Sequence, residues 1–206
     1  MKIVISSLSI LLIALASCEV REPVLIVVEK DPTLSKDDWV VLQETTLWNN
    51  VAIAGLKHWE GYYAKPYRCA AGVKTIGYGF TSRKYVSLGR IDKAKALNIL
   101  KSKYANCGTI VDRTVTVPLT GNQRAALISF TYNVGERNLK MLVNGKDRLN
   151  SGNYDSVPQK LVLYCRVWQR ASDRPAELKE LEGLKLRREW EAQIWNGRIP
   201  TKYGNE

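Results

Sequence analysis

The sequence predicts an α+β fold with segregated elements: one helix, a small antiparallel sheet, then a mainly helical lobe. Three observations carry this expectation. Before Glu60, apolar residues recur at helical spacing. Across residues 66–80 the composition switches to glycine and strand-forming residues. After Asp92 the helical period returns, punctuated by cap and stop residues. A cleft between sheet and helical lobe is then the natural seat of a long ligand.

The first helix is expected over about Glu44 to Trp59. Leu47, Val51, Ala54, Leu56 and Trp59 would form its buried face, and Gly61 its stop. In the next stretch Pro66, Gly72, Gly77 and Gly79 break helices, while Val73, Thr75, Ile76, Tyr78 and Phe80 favour strands. This predicts a hairpin or three-stranded sheet turning near Ala70–Gly72, with Thr75 pointing opposite to Ile76. A helix capped by Asp92 follows, to about Asn106. Thr120 caps "GNQRAALISFTYNV", with Ala126, Leu127, Phe130 and Val134 on one face and Gly135 as the stop. Another helix starts near Ser156, with Pro158 tolerated in its first turn, and runs to about Ala171. A last one covers about Leu184 to Trp195. Trp168, Trp190 and Trp195 have the spacing of core residues.

The N-terminus has a different character. After Lys2, the fifteen residues Ile3 to Ser17 carry no charge. That is short for a membrane span, which needs roughly 20 residues, and it suits the apolar region of an export signal. The ending Leu15-Ala16-Ser17-Cys18 resembles a lipobox, which makes Cys18 the lipidation candidate. A cleaved signal and a releasable anchor remain open beside it. All three export the protein. Residues 1–18 are therefore signal or anchor, 19–42 a linker or arm in which Val24–Val28 has strand composition, and 43–206 the compact domain.

The chain is basic, with a formal net charge of +11. Such a charge favours anionic cell-wall or membrane surfaces. No Lys/Arg cluster with interleaved aromatics suggests nucleic acid, and no nucleic-acid partner is expected. Four isolated cysteines, no C-x-x-C and a single His58 argue against a zinc site; neither a metal nor a cofactor is expected. An exported chain permits a Cys107–Cys165 disulfide. A monomer is expected.

"EGYYAKPYRCAAGVKTIGYGFT", residues 60–81, concentrates the chemistry. Glu60 follows Trp59 at a helix end and precedes the glycine-rich strand. An apolar surrounding keeps a carboxyl protonated, as a general acid near neutral pH must be. On residues alone, a solvated helix-end glutamate is the plainer reading.

This stretch resembles the signature of the phage-type lysozymes, glycoside hydrolase family 24, in its cysteine-bearing branch. Eight residues separate Glu60 from Cys69, and five separate Cys69 from Thr75. "TGNQRAALISFTYNVG" resembles the family's core helix, and "LEGLKLRREWEAQIWNG" its C-terminal helix. The three motifs are co-linear across about residues 45–197, while residues 166–182 diverge. The resemblance implies a lysozyme-like fold and a muramidase. It would hydrolyse the β-1,4 bond between N-acetylmuramic acid and N-acetylglucosamine in peptidoglycan, for host lysis. It implies Glu60 as general acid, Cys69 where many relatives carry Asp, and Thr75 holding the attacking water. Gln123, Asn133 and Arg187 become candidate substrate-binding residues, with Arg187 or Arg188 able to reach the acid. His58, two residues before Glu60, points away.

Cysteine in place of Asp leaves the role open. A thiol has a reference pKa of about 8.5 and lacks the fixed charge of Asp unless a cation such as Arg68 approaches. It can also be blocked by oxidation, and an unlipidated Cys18 is a conceivable disulfide partner. Rival readings are a wall-binding module that does not cut and a lytic transglycosylase.

Overall fold

The computed structural model describes residues 33, 35–69, 72–169 and 177–201. The apolar run, the lipobox with Cys18, and Val24–Val28 lie outside the described residues. Among the described residues no helix is long and apolar enough to cross a membrane.

Helix α1 spans Lys36–Glu60, starting at Lys36 where Glu44 was expected. The last residues of the expected linker are therefore helical. Ser35 followed by Asp37 is a helix-start signal, because acidic residues favour the positive end of the helix dipole. The apolar period misses this first stretch because Val41 and Leu42 stay exposed. The buried stripe is Trp48, Ala52 and Leu56, four residues apart in each step. That differs from the expected face: Ala54 is exposed, and Leu47 and Val51 are only half-buried.

Two strands follow. β1 (Tyr63–Arg68) pairs antiparallel with β2 (Lys74–Gly77), in the register Tyr67 to Thr75 and Arg68 to Lys74. No third strand joins them among the described residues. The only addition is a bridge from Ile76 to Phe80. A short helix, α2 (Arg83–Val86), leads into α3 (Lys93–Thr114). Asp92 caps α3 by accepting from the Lys95 N–H at 2.7 Å.

Helix α4 (Gly121–Val143) is the axis of the core. Residues 125–131 are buried on every side, as befits a helix wrapped by others. It packs on α1, on α3 and on α6 (Glu182–Trp195). Gly135 does not end it. The backbone kinks there at φ 80°, and the helix resumes; Asn138 Nδ2 donates to the Val134 carbonyl at 2.7 Å across the kink.

Helix α5 (Ser156–Leu161) is far shorter than expected. The chain tightens into a 3-10 turn over Val162–Cys165, then extends as β3 (Arg166–Gln169), paired with β4 (Glu177–Glu180). Strand pairing has overridden local helical spacing here. Trp190 and Trp195 are buried as expected. Cys107 on α3 and Cys165 before β3 are both free thiols, so the disulfide considered between them does not form.

One contact sets the site. A Cβ on Gly55 would lie 2.2 Å from the Trp190 ring. Only glycine lets α6 approach α1 this closely. Trp190 follows Arg187 by one helical turn, and Gly55 precedes Glu60 by little more than one. Their contact brings Arg187 against Glu60.

Candidate active site

Glu60 is the last residue of α1. Gly61, at φ 61°, turns the chain away into β1. A carboxylate at a helix C-terminus meets the negative end of the dipole and calls for a cation. Arg187 supplies it: Nη1 donates to Glu60 Oε1 at 2.9 Å. The Arg187 side chain is 4% exposed and that of Glu60 18%, so the pair is shielded yet Glu60 reaches solvent. The other oxygen, Oε2, lies against Gly79. A Cβ there would sit 2.7 Å from it, and Gly79 has φ 76°. Both the close approach and the backbone require glycine.

Behind Arg187 lies a buried polar cluster that sequence reasoning missed. Glu191 is fully buried between two arginines. Its Oε1 is 3.5 Å from Arg187 Nε and accepts from Ser129 Oγ at 2.8 Å. Its Oε2 is 3.2 Å from Arg188 Nε. Arg188 Nη2 donates to Asn133 Oδ1 at 2.9 Å, and the guanidinium lies over the Phe130 ring. Burial pulls the Arg188 pKa down, and the Glu191 carboxylate works against that. The sequence signal was the four-residue step from Arg187 to Glu191 on a helix, which puts them on one face.

The hairpin forms the other side. Cys69 sits just after β1. Its N–H donates to the Val73 carbonyl at 3.0 Å and its carbonyl accepts from Gly72 at 2.7 Å. Arg68 Nη1 donates to the Gly72 carbonyl at 2.7 Å, so the guanidinium braces the turn. Thr75 is buried, opposite Tyr67, and its Oγ1 donates to the Val73 carbonyl at 3.0 Å. Its one proton is thus committed, and Oγ1 is left as an acceptor.

Two tyrosines tie these parts together. Burial pushes up the Tyr67 phenol, with Tyr63, Cys69 and Glu60 adding to the effect. Burial also pushes up Tyr132, with Glu60 adding and Arg187 opposing. The Tyr132 hydroxyl donates to the Tyr78 carbonyl at 3.3 Å. Glu60 and Cys69 therefore both act on the Tyr67 phenol.

Arg187 meets Glu60 directly, and Asn133 joins through Arg188. Gln123 does not. It is the third residue of α4, and its Oε1 accepts from the Thr120 N–H at 3.1 Å, completing a capping box. The neighbouring Gly121 packs on Thr45. Thr45 precedes Glu60 along α1 by roughly 22 Å at 1.5 Å per residue. Gln123 is thus a helix cap remote from the acid. His58 is exposed, its ring edge-on to Trp59. Among the described residues, no three His, Cys, Asp or Glu side chains gather to hold a metal ion.

The phage lysozyme family model matches residues 57–191. The chain is 32% identical over 141 residues to the "SAR-endolysin" of Escherichia phage Mu, covering 68% of this chain and 76% of that protein. It is 28% identical over 141 residues to the endolysin of Acyrthosiphon pisum secondary endosymbiont phage 1, covering 68% and 91%. Among solved structures, the endolysin from Escherichia coli O157:H7 phage FAHEc1 superposes with a TM-score of 0.61 at 26% identity, covering 73% of this chain and 94% of that one.

Proposed function

Because the chain belongs to the phage lysozyme family, and is therefore a cell-wall-degrading glycoside hydrolase of lysozyme type, we propose that Glu60 is its general acid. The bond cleaved is the β-1,4 link between N-acetylmuramic acid and N-acetylglucosamine. The observation that carries this is the Glu60–Arg187 pair at a solvent-reaching helix end.

Arg187 occupies Oε1, so the catalytic proton belongs on Oε2. That proton passes to the leaving glycosidic oxygen as the bond to the anomeric carbon breaks. A water supplies the new bond. Thr75 Oγ1, whose own proton is committed to Val73, accepts one of the water's hydrogens. Cys69, standing where relatives carry Asp, accepts a hydrogen bond from the other through its sulfur, and the water's surplus proton passes to solvent once the new bond has formed. Water thereby points its lone pair at the anomeric carbon. Such positioning and proton transfer contribute about 10²–10⁴-fold.

The substrate lies outside the cytoplasmic membrane, so the enzyme is exported. The uncharged run from Ile3 to Ser17 supplies the export segment, and the +11 charge holds the enzyme near anionic wall polymers. Mass measurement of the mature N-terminus tests the first half: a chain still beginning at Met1 and found in the cytosol contradicts it.

Mass spectrometry of muropeptides tests the reaction. Hydrolysis in ¹⁸O-water leaves muramic acid with a labelled reducing end. Anhydro-muramic products instead identify a transglycosylase, and intact sacculi identify a module that only binds.

A further inference from the structure

Tyr63 and Tyr67 lie on one face of β1 with ring centroids 4.1 Å apart and planes tilted by 33°. Neither has a role in the chemistry above. Tyr63 is 48% exposed, unusual for so large a ring on a strand. The pair borders the site at both ends. The Tyr63 ring lies against Gly61, where a Cβ would sit 3.4 Å from it, and Gly61 follows Glu60. Tyr67 stands opposite Thr75 in the sheet, two residues from Cys69. Tyr63 stands opposite Gly77, which presents no side chain to cover it.

We propose that the Tyr63–Tyr67 pair is a sugar-stacking subsite, which seats one pyranose ring of the glycan strand beside the scissile bond. The occupant follows from its chemistry. In β-linked hexosamines the axial hydrogens of alternate ring carbons make each ring face apolar, while the hydroxyl and amide groups lie around the rim. An exposed, amphipathic ring pair matches that shape, stacking on the face and leaving the phenol hydroxyls to the rim. The pair is preorganised, since each ring already rests on the other, and little side-chain freedom is lost on binding. Burial and the nearby Cys69 and Glu60 also hold the Tyr67 phenol in its neutral form, which suits a hydrogen-bonding surface.

This rests on the muramidase reading, and the two fail separately. Binding of the full chain to insoluble, purified sacculi is measured in the Glu60→Gln background, at about 0.5 M salt to screen the net charge. Tyr63→Ala should weaken binding about tenfold, and Tyr63→Trp should keep it. Leu163→Ala, an exposed apolar control on another element, should bind like its parent. Circular dichroism checks that each variant is folded. Unchanged binding by folded Tyr63→Ala overturns the subsite, as does an equal loss from Leu163→Ala. Undiminished lysis by Glu60→Gln overturns the catalytic assignment instead.

Discussion

Replacing Glu191 with Gln keeps the shape of the side chain and removes its charge. Glu191 is fully buried and faces Arg187 Nε at 3.5 Å and Arg188 Nε at 3.2 Å. At an effective dielectric constant of 20, each contact is worth about 5 kcal/mol before desolvation is set against it. Removing one partner of a buried ion pair costs about 3–5 kcal/mol, because the remaining charge is left uncompensated. Here two buried arginines are left without the carboxylate between them. Ser129 can still donate to the amide oxygen, which places the loss near the lower end, at about 3 kcal/mol. Against a total stability of about 5–15 kcal/mol this is large, and it lowers Tm by roughly 10 °C in a chain of this size. Urea denaturation of Glu191→Gln beside the wild type reads it directly. A further arm replaces both partners, Glu191→Leu with Arg188→Met. Since Arg188 is gone and Arg187 keeps its contact with Glu60, the double variant should lose less than Glu191→Gln alone. A loss under about 1 kcal/mol for the single variant, or a double variant that is worse, would refute the reasoning.

Other outcomes follow from the same geometry. Gly79→Ala puts a methyl group 2.7 Å from Glu60 Oε2 at a φ of 76°; muropeptide release should fall at least about tenfold with a smaller change in wall binding. Cys69→Ala removes the sulfur that meets the water and should lose about 10²-fold in turnover, while Cys69→Asp should stay active. Burial raises the Tyr104 pKa above its ordinary value, and its hydroxyl donates to Asn49 Oδ1 at 2.9 Å. A raised folded pKa contributes stability that is full below about pH 10 and lost as pH rises. Urea titrations at increasing pH should therefore show stability falling above about pH 10, less steeply in Tyr104→Phe by up to about 1.4 kcal/mol per pH unit. An equal slope in both contradicts the assignment.

Much of the fold was legible because caps and glycines act locally. Asp92 and Thr120 mark helix starts through their own side chains and near neighbours, and Gly61 marks an exit. What failed depended on distant partners. The start of α1 carries no buried apolar stripe, since Val41 and Leu42 are exposed. The end of α5 was lost because Arg166–Gln169 finds a strand partner in Glu177–Glu180. Gly135 was seen as a stop, but Asn138 spans the kink and the helix continues. In the site, the spacing of Glu60, Cys69 and Thr75 placed the hairpin against a helix end. It left open whether Arg187 or Arg188 reaches Glu60, because that contact depends on Gly55 admitting Trp190. Gln123 looked like a sugar-binding amide because capping and binding use the same groups.

The central claim is that Glu60 donates the proton that breaks the glycan. Muropeptide release by wild type and Glu60→Gln, at matched fold and matched wall binding, tests it most directly. The account predicts a loss of at least about 10²-fold in turnover with binding preserved. Equal release by the two proteins would contradict it.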